Sequence, residues 1–288
     1  MSDGAEMRGS GVFGAGAFDA GAAVHEGAAV HQGAALFARY AYPPNALGYC
    51  GPPDTRQTVA HLGGGASGAG AAVSGVGERQ ATEQWARSFD GAWPYLHAIA
   101  GGAGRAGLSD GRLGGLLDPD IVEAYWLGNP LLDNLDPHAL LDQLRRDFAH
   151  QTGHILDGIH HACAHHTFHV LTVYPWTRLL GRGPAALDIL QKCRIRWGTV
   201  TAVDSTSATI STQPLTYNGQ ITLGNPTEET ATWRGPGTTL APRPRPGDQV
   251  ALHWDWICSS LNATQLDALQ HYTDVSLGIA NEWLRGRG

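Results

Sequence analysis

The sequence is poor in lysine and in basic residues generally. Lys192 is the only lysine among 288 residues, and arginine supplies the rest of the 19 basic side chains, which form no block. With a net charge of −7, nucleic acid or an anionic membrane surface is not the expected main partner. No run of about 18 apolar residues is present, so we expect no membrane insertion.

Cysteine is scarce too, and several well-known motifs are missing. The four cysteines, Cys50, Cys163, Cys193 and Cys258, are too widely spaced to indicate a disulfide framework. The first residues lack the charged-then-apolar layout of a secretory signal, so we expect a cytoplasmic protein with reduced thiols. The patterns GxGxxG, GxxxxGK[ST], GxSxG and CxxC are absent, which removes the usual evidence for nucleotide binding, serine hydrolysis or a paired-thiol site.

Glycine and alanine dominate two stretches of the chain. Residues 1–33 contain 8 Gly and 8 Ala, and residues 63–77 contain 7 Gly and 4 Ala. Neither stretch carries enough large side chains to offset the entropy lost on ordering. We therefore predict a disordered tail over 1–33 and a Gly/Ala-rich insert over 63–77.

The region 34–192 has the pattern of an all-α domain. A short helix is predicted from Ala34 to Tyr42, where Pro43 and Pro44 should end it. Two Asp-Pro pairs, Asp118-Pro119 and Asp136-Pro137, are typical of an N-cap followed by the first helical turn. Further helical segments are predicted at 155–180, broken at Pro175, and at 184–192.

From Cys193 onwards the pattern changes to short strands. Asn218-Gly219 predicts a hairpin, and Asn262 caps a last helix whose Leu266, Leu269, Tyr272 and Leu277 should bury against the strands. Four or five strands in about 65 residues favour a small barrel. The predicted fold class is α+β, an all-α domain followed at 193–288 by an OB-like β-barrel with a C-terminal helix.

Cys193 and His253 are the first candidate site, because they stand at the two ends of the strand region. A thiolate and an imidazole suit zinc, iron or nickel, and a cysteine beside a histidine can also act as a nucleophile. Strand alternation groups His253 with Ala251 and Asp255, away from the apolar residues. The alternative is therefore a buried structural cysteine and a solvated strand histidine.

The strand region resembles the small hydrogenase maturation chaperones of the HypC/HupF type. Cys193 and Gly198 stand at the spacing of that family's Cys-x-x-x-Pro-Gly, with Trp197 in place of the proline, and Gly247–His253 is similar to its last strand. The resemblance implies a HypC-like barrel in which Cys193 and His253 handle a transient iron–cyanide–carbonyl unit or another transition metal. It also implies a hydrogenase large subunit or its maturation scaffold as partner, although the family cysteine is N-terminal and Cys193 is internal.

A histidine-rich segment is the second candidate site. Residues 160–169 hold six side chains able to bind metal. On a helix, His161, His165 and His169 would lie on one face, and an i, i+4 pair of imidazoles chelates zinc or nickel well. We predict these three residues and Cys163 as metal ligands; the alternative is a helix with exposed histidines.

The loop at 39–54 is a third, weaker candidate. Its prolines and aromatic residues fit either a structural plug or a binding edge, and Cys50 could complete a site with the histidine-rich segment. Taken together, the sequence favours a non-enzymatic accessory protein of hydrogenase assembly. The alternatives are a metalloenzyme built on the 160–169 cluster and a metal-free binding module.

Overall fold

The computed structural model describes residues 20–51, 84–104, 115–149 and 156–286, with side chains from residue 32 onwards. The insert predicted at 63–77 and the first 19 residues lie outside these ranges. Within them, helices and a sheet are combined, as the sequence predicts, and a helix ends the chain. The helical elements are α1 Ala20–Ala46, α2 Trp93–Gly102, α3 Pro119–Trp126, a 3-10 helix Pro130–Asn134, α4 Pro137–Asp147, an α-helical turn His166–Phe168, a π-helical turn His169–Val173, a 3-10 helix Pro175–Leu179, α5 Pro184–Cys193 and α6 Ala263–Arg285.

Helix α1 is longer at both ends than the sequence indicates. It begins at Ala20, inside the segment predicted to be disordered, and it continues through Pro43 and Pro44 to Ala46. Residues 20–33 of the predicted tail thus belong to this helix, and the predicted stop at Pro43 is wrong. Both prolines lie in the last turns, where a helix tolerates the loss of their N–H groups if the released carbonyls find other donors.

The two Asp-Pro starts are confirmed. The Asp118 carboxylate accepts a hydrogen bond from the Asp120 backbone N–H at 2.9 Å. The Asp136 carboxylate accepts from the N–H groups of His138 at 2.9 Å and Ala139 at 3.3 Å. Each aspartate thus satisfies donors that the first helical turn leaves open.

The histidine-rich segment does not form the predicted helix. Residues 160–165 are not helical; His165 is the N-cap of the turn His166–Phe168, and its Nδ1 accepts from the Thr167 N–H at 3.2 Å. The π-helical turn His169–Val173 follows at once. His161, His165 and His169 therefore share no helical face, because the histidines enter the core, where side-chain contacts override the local period.

The strands are β1 Arg196–Val203, β2 Ser207–Thr212, β3 Leu215–Tyr217, β4 Ile221–Leu223, β5 Thr227–Thr232, β6 Arg234–Gly235, β7 Thr238–Thr239, β8 Gln249–His253 and β9 Trp256–Ser260. Five of them are hydrogen-bonded in the closed order β1-β2-β5-β9-β8, and β8 pairs back onto β1. Strands β3 and β4 form the predicted Asn218-Gly219 hairpin. A Cβ at Gly198 would lie 2.6 Å from the Ser211 carbonyl oxygen, so β1 needs glycine there to approach β2.

Helices cover the sheet, and one hydrophobic core crosses the boundary predicted at residue 193. The main buried cluster runs from Ala34 to Trp283 along the chain. Helix α6 begins at Asn262 with a reciprocal capping box to Gln265, as predicted. Its Tyr272 hydroxyl donates towards the helical part, to the Asn129 carbonyl at 3.1 Å and the Asp133 carboxylate at 2.9 Å. Among the described residues, no helix is long and apolar enough to cross a membrane.

Candidate metal centre

Three side chains from separate parts of the chain converge in the core. His166 begins the helical turn after the histidine-rich loop, Cys193 ends α5 and His253 ends β8. One ligand atom from each residue can be chosen so that all lie within 4.8 Å of one another. The side chains are 6%, 6% and 0% exposed, respectively. The structure thus brings together the predicted pair Cys193 and His253 and adds His166.

One ring nitrogen of His253 makes a hydrogen bond, and the other makes none to the described residues. Its Nδ1 lies 2.6 Å from the Tyr40 carbonyl oxygen, which can only accept, so Nδ1 carries the proton. Nε2 therefore holds a lone pair, and it has no hydrogen-bond partner within the described part of the chain. An imidazole fixed through Nδ1–H to a carbonyl is the usual arrangement of a metal-binding histidine.

The Tyr40 carbonyl is open to His253 because of a proline four residues later. In an α-helix the N–H of residue 44 would donate to the carbonyl of residue 40. Pro44 has no N–H, so that carbonyl is free to accept from the histidine instead. The expectation that His253 faces solvent is wrong: its side chain is fully buried because α1 packs against β8 and β9, and the Tyr40 hydroxyl also bonds to Ser259 at 2.6 Å.

His166 sits between a tyrosine and the Cys193 backbone. Its Nδ1 lies 3.0 Å from the Tyr125 hydroxyl, which donates to the Gly91 carbonyl at 3.2 Å. The Cys193 carbonyl can only accept, so Nε2–H donates to it at 3.0 Å, and the Nδ1 lone pair faces the Tyr125 hydroxyl. To bind a cation through Nε2, the ring would have to give up this bond and carry its proton on Nδ1, where the Tyr125 oxygen could accept it.

Burial determines the protonation states of the three groups. It lowers the pKa of His166 to about 4 and that of His253 well below its ordinary value, so both imidazoles are neutral at neutral pH. Burial also raises the pKa of Cys193 to about 12, although the nearby Arg196 charge opposes this. A neutral imidazole is ready to bind a metal, whereas the thiol must lose its proton to solvent when a metal binds.

Arg196 holds the elements that carry Cys193 and His253 together. Its guanidinium donates to the carbonyls of Gln191 and Lys192 at 3.2 Å, at the end of α5. It also donates to the Trp254 carbonyl at 2.6 Å, in the turn after His253, and pairs with Glu229 at 3.1 Å. Trp254 has a φ of 52°, a strained value for a residue with a side chain, so this turn is held firmly by its neighbours.

The four ligands predicted in the histidine-rich segment lie outside this group. His161 is partly buried in the loop before the turn. His165 caps that turn and stacks on Tyr272 with ring centroids 5.9 Å apart. His169 bonds through Nδ1 to the Tyr95 hydroxyl at 3.1 Å. Cys163 is buried, which raises its pKa to about 12. The prediction that His161, His165 and His169 share a helical face is wrong. That these residues and Cys163 bind a metal stays a prediction.

His166 is not among the predicted ligands, although the predicted cluster contains it. His166 lies between two predicted ligands but was excluded by the assumed helical spacing. No local pattern connects it to residues 27 and 87 positions further along the chain. The local sequence gives no signal for His166, because tertiary packing brings its partners, the Tyr125 hydroxyl and the Cys193 carbonyl, to the ring.

The fold and the site together define the class of protein. It is a mixed helical and β protein with two imidazoles and a thiol gathered in its core. Within that class, the chain belongs to the family of unknown function DUF6390, whose model matches residues 29–287. Comparison with curated proteins and with solved structures gives no match.

Proposed function

We propose that this protein is a metal-holding accessory protein whose His166, Cys193 and His253 bind one divalent transition-metal ion. The observation that carries the proposal is the convergence of their ligand atoms to within 4.8 Å. In a tetrahedral zinc site, metal–ligand bonds of about 2.0–2.3 Å put the ligand atoms about 3.3–3.7 Å apart. A contraction of about 1 Å at the widest separation therefore closes the site around an ion.

The ligand set selects the kind of metal. Two imidazoles and a thiolate suit zinc, iron, nickel or copper, whereas magnesium and calcium prefer oxygen ligands. No carboxylate belongs to the group. All three side chains are buried, so an ion held by them would be shielded from solvent.

The more specific proposal is that the protein acts in nickel–iron hydrogenase maturation. Its support is the HypC/HupF-type resemblance, together with the finding that Cys193 and His253, named by that resemblance, lie in one group. The closed strand order is consistent with the OB-like, HypC-like barrel that the resemblance implies. The iron–cyanide–carbonyl unit would then be cargo, and the hydrogenase large subunit or its scaffold the partner.

The test is metal analysis combined with affinity capture from a hydrogenase-expressing host. We expect about one transition-metal ion per wild-type chain, loss of that ion in Cys193→Ala and retention in the matched control Cys163→Ala, since Cys163 is a buried free thiol outside the group. Co-purification of a hydrogenase large subunit or maturation scaffold would support the specific proposal. Metal without such a partner removes only the hydrogenase role, and absence of metal removes both proposals.

The alternative of a metalloenzyme centred on residues 160–169 has less support. His161, His165 and His169 do not lie on one helical face, and His165 and His169 are buried with other partners. Metal that survives Cys193→Ala but is lost in His161→Ala would favour this alternative.

A further inference from the structure

The loop that follows α1 lies beside the metal-binding group and carries a fourth candidate ligand, Cys50. Asn45 Nδ2 donates to the Cys50 carbonyl at 2.8 Å, which ties the loop to the end of the helix. Gly51, with a φ of 79°, packs so closely on Phe89 that a Cβ there would lie 2.4 Å from the ring. These contacts place the loop between the end of α1 and Phe89, while the Cys50 sulfur lies outside the group of three ligand atoms.

The same loop meets the turn that follows His253. The ring of Tyr49 lies against that of Trp254, with centroids 4.3 Å apart. Cys50 itself is partly buried and packs against the main core. Cys193 adds to the rise in the pKa of the Cys50 thiol, after the larger effect of burial, so the two thiols are near enough to interact electrostatically.

Charge gives the physical reason for a second thiolate. A divalent ion bound by two neutral imidazoles and one thiolate carries a net charge of about +1, and an uncompensated buried charge is costly. The buried Arg196 guanidinium lies close by, and its ion-pair partner Glu229 is already engaged. A second thiolate makes the centre neutral and gives it the four protein ligands typical of enclosed zinc sites.

The other described cysteines lie in other elements and have other partners. Cys258 lies in β9, where its sulfur faces the Trp256 carbonyl at 3.8 Å. Cys163 lies beside His165, in the loop before the helical turn. Cys50 alone among the three stands in the loop that contacts Trp254, and a loop can move inward more easily than a paired strand.

We propose that Cys50 supplies a second thiolate to the ion held by His166, Cys193 and His253, completing a His2Cys2 centre. The inference rests on the proposed function. Binding then converts two thiols to thiolates and releases two protons to solvent, while the two imidazoles remain neutral and no group is oxidised or reduced.

Cobalt(II) titration of the reduced full-length protein tests this proposal, with Cys50→Ser compared with the control Cys163→Ser. In Cys50→Ser we expect the thiolate-to-cobalt charge-transfer absorbance per bound ion to fall to roughly half, and the affinity to fall at least roughly tenfold. The number of protons released per ion, measured by calorimetry in several buffers, should fall from about two to about one. Cys163→Ser should match the wild type.

The outcomes separate this inference from the proposed function. Unchanged absorbance and proton release in Cys50→Ser would overturn the role of Cys50 and leave the three-residue site intact. A wild-type protein that binds no cobalt would overturn both. Thermal unfolding of metal-free Cys50→Ser establishes that the variant is folded, and Cys50→His, which offers a different ligand at the same position, should recover part of the affinity without the second charge-transfer contribution.

Discussion

At the scale of single residues, the orientation of His253 depends on the backbone N–H group that Pro44 lacks. Pro44 leaves the Tyr40 carbonyl without its helical donor, and His253 Nδ1 takes that place at 2.6 Å. This contact fixes the tautomer that presents Nε2 to a metal. Pro43, one residue earlier, would instead release the carbonyl of Arg39, so the two prolines have separable effects.

Replacing Pro44 by alanine should weaken metal binding. The new N–H can donate to the Tyr40 carbonyl and compete with His253, so we expect an affinity roughly tenfold lower. Pro43→Ala adds an N–H of the same kind but directs it to Arg39, and its affinity should stay close to that of the wild type. Competition titration with a chelator measures both values. Equal affinities in the two variants would show that the Tyr40 carbonyl does not control His253.

The residue scale also shows what the sequence could and could not predict about the site. Cys193 and His253 were found because each stands at a recognisable position in a strand pattern. His166 was not, since its partners are set by tertiary packing against Tyr125 and the end of α5. An assumed helical period favoured His161, His165 and His169 instead, and burial of the segment overrode that period.

At the scale of elements, local sequence patterns predicted helix starts and the hairpin correctly where the interacting groups are close in sequence. The Asp118, Asp136 and Asn262 caps and the Asn218-Gly219 hairpin are all of this kind. Such patterns failed for α1 and for the histidine-rich segment. There, the Tyr40 carbonyl and the rings of His166 and His169 bond to residues far away in the chain, which no local pattern can reveal.

The cap of α4 leads to a prediction about pH. Hydrogen bonds from the His138 and Ala139 N–H groups hold the pKa of Asp136 below its ordinary 3.8. The folded protein thus binds this proton less tightly than the unfolded chain does. The contribution of Asp136 to the free energy of unfolding is present above the ordinary pKa and is lost as the pH falls through the lower, folded value.

Asp136→Asn should remove that pH dependence and keep the cap, because an asparagine side-chain oxygen also accepts from the first turn. Urea unfolding of both proteins, at about pH 7 and at several values below about pH 4, measures it. We expect similar free energies of unfolding near neutrality and a smaller loss on acidification in the variant. A variant that loses as much stability in acid as the wild type would show that the carboxylate does not titrate in this way.

At the scale of the whole molecule, the site lies where the helical part and the strands meet. His166 comes from the helical part, Cys193 from the junction and His253 from β8, and the main core includes residues on both sides of the junction. The mixed fold class could be predicted because the pattern of apolar residues changes from helical to strand-like at Cys193. The C-terminal helix α6 could be predicted from its cap and its apolar face. The way in which α1 covers β8 could not, because it depends on contacts between residues more than 200 positions apart.

The central claim is that His166, Cys193 and His253 hold one metal ion in the core. X-ray absorption of the zinc-loaded protein tests it most directly, because it counts the atoms bound to the metal. We expect sulfur at about 2.3 Å and the scattering of two imidazoles at about 2.0–2.1 Å from the metal. Two sulfur atoms are expected if Cys50 takes part and one if it does not, with one sulfur fewer in Cys193→Ser. Zinc bound only by oxygen and nitrogen, or a spectrum unchanged in Cys193→Ser and His253→Ala, would contradict the claim.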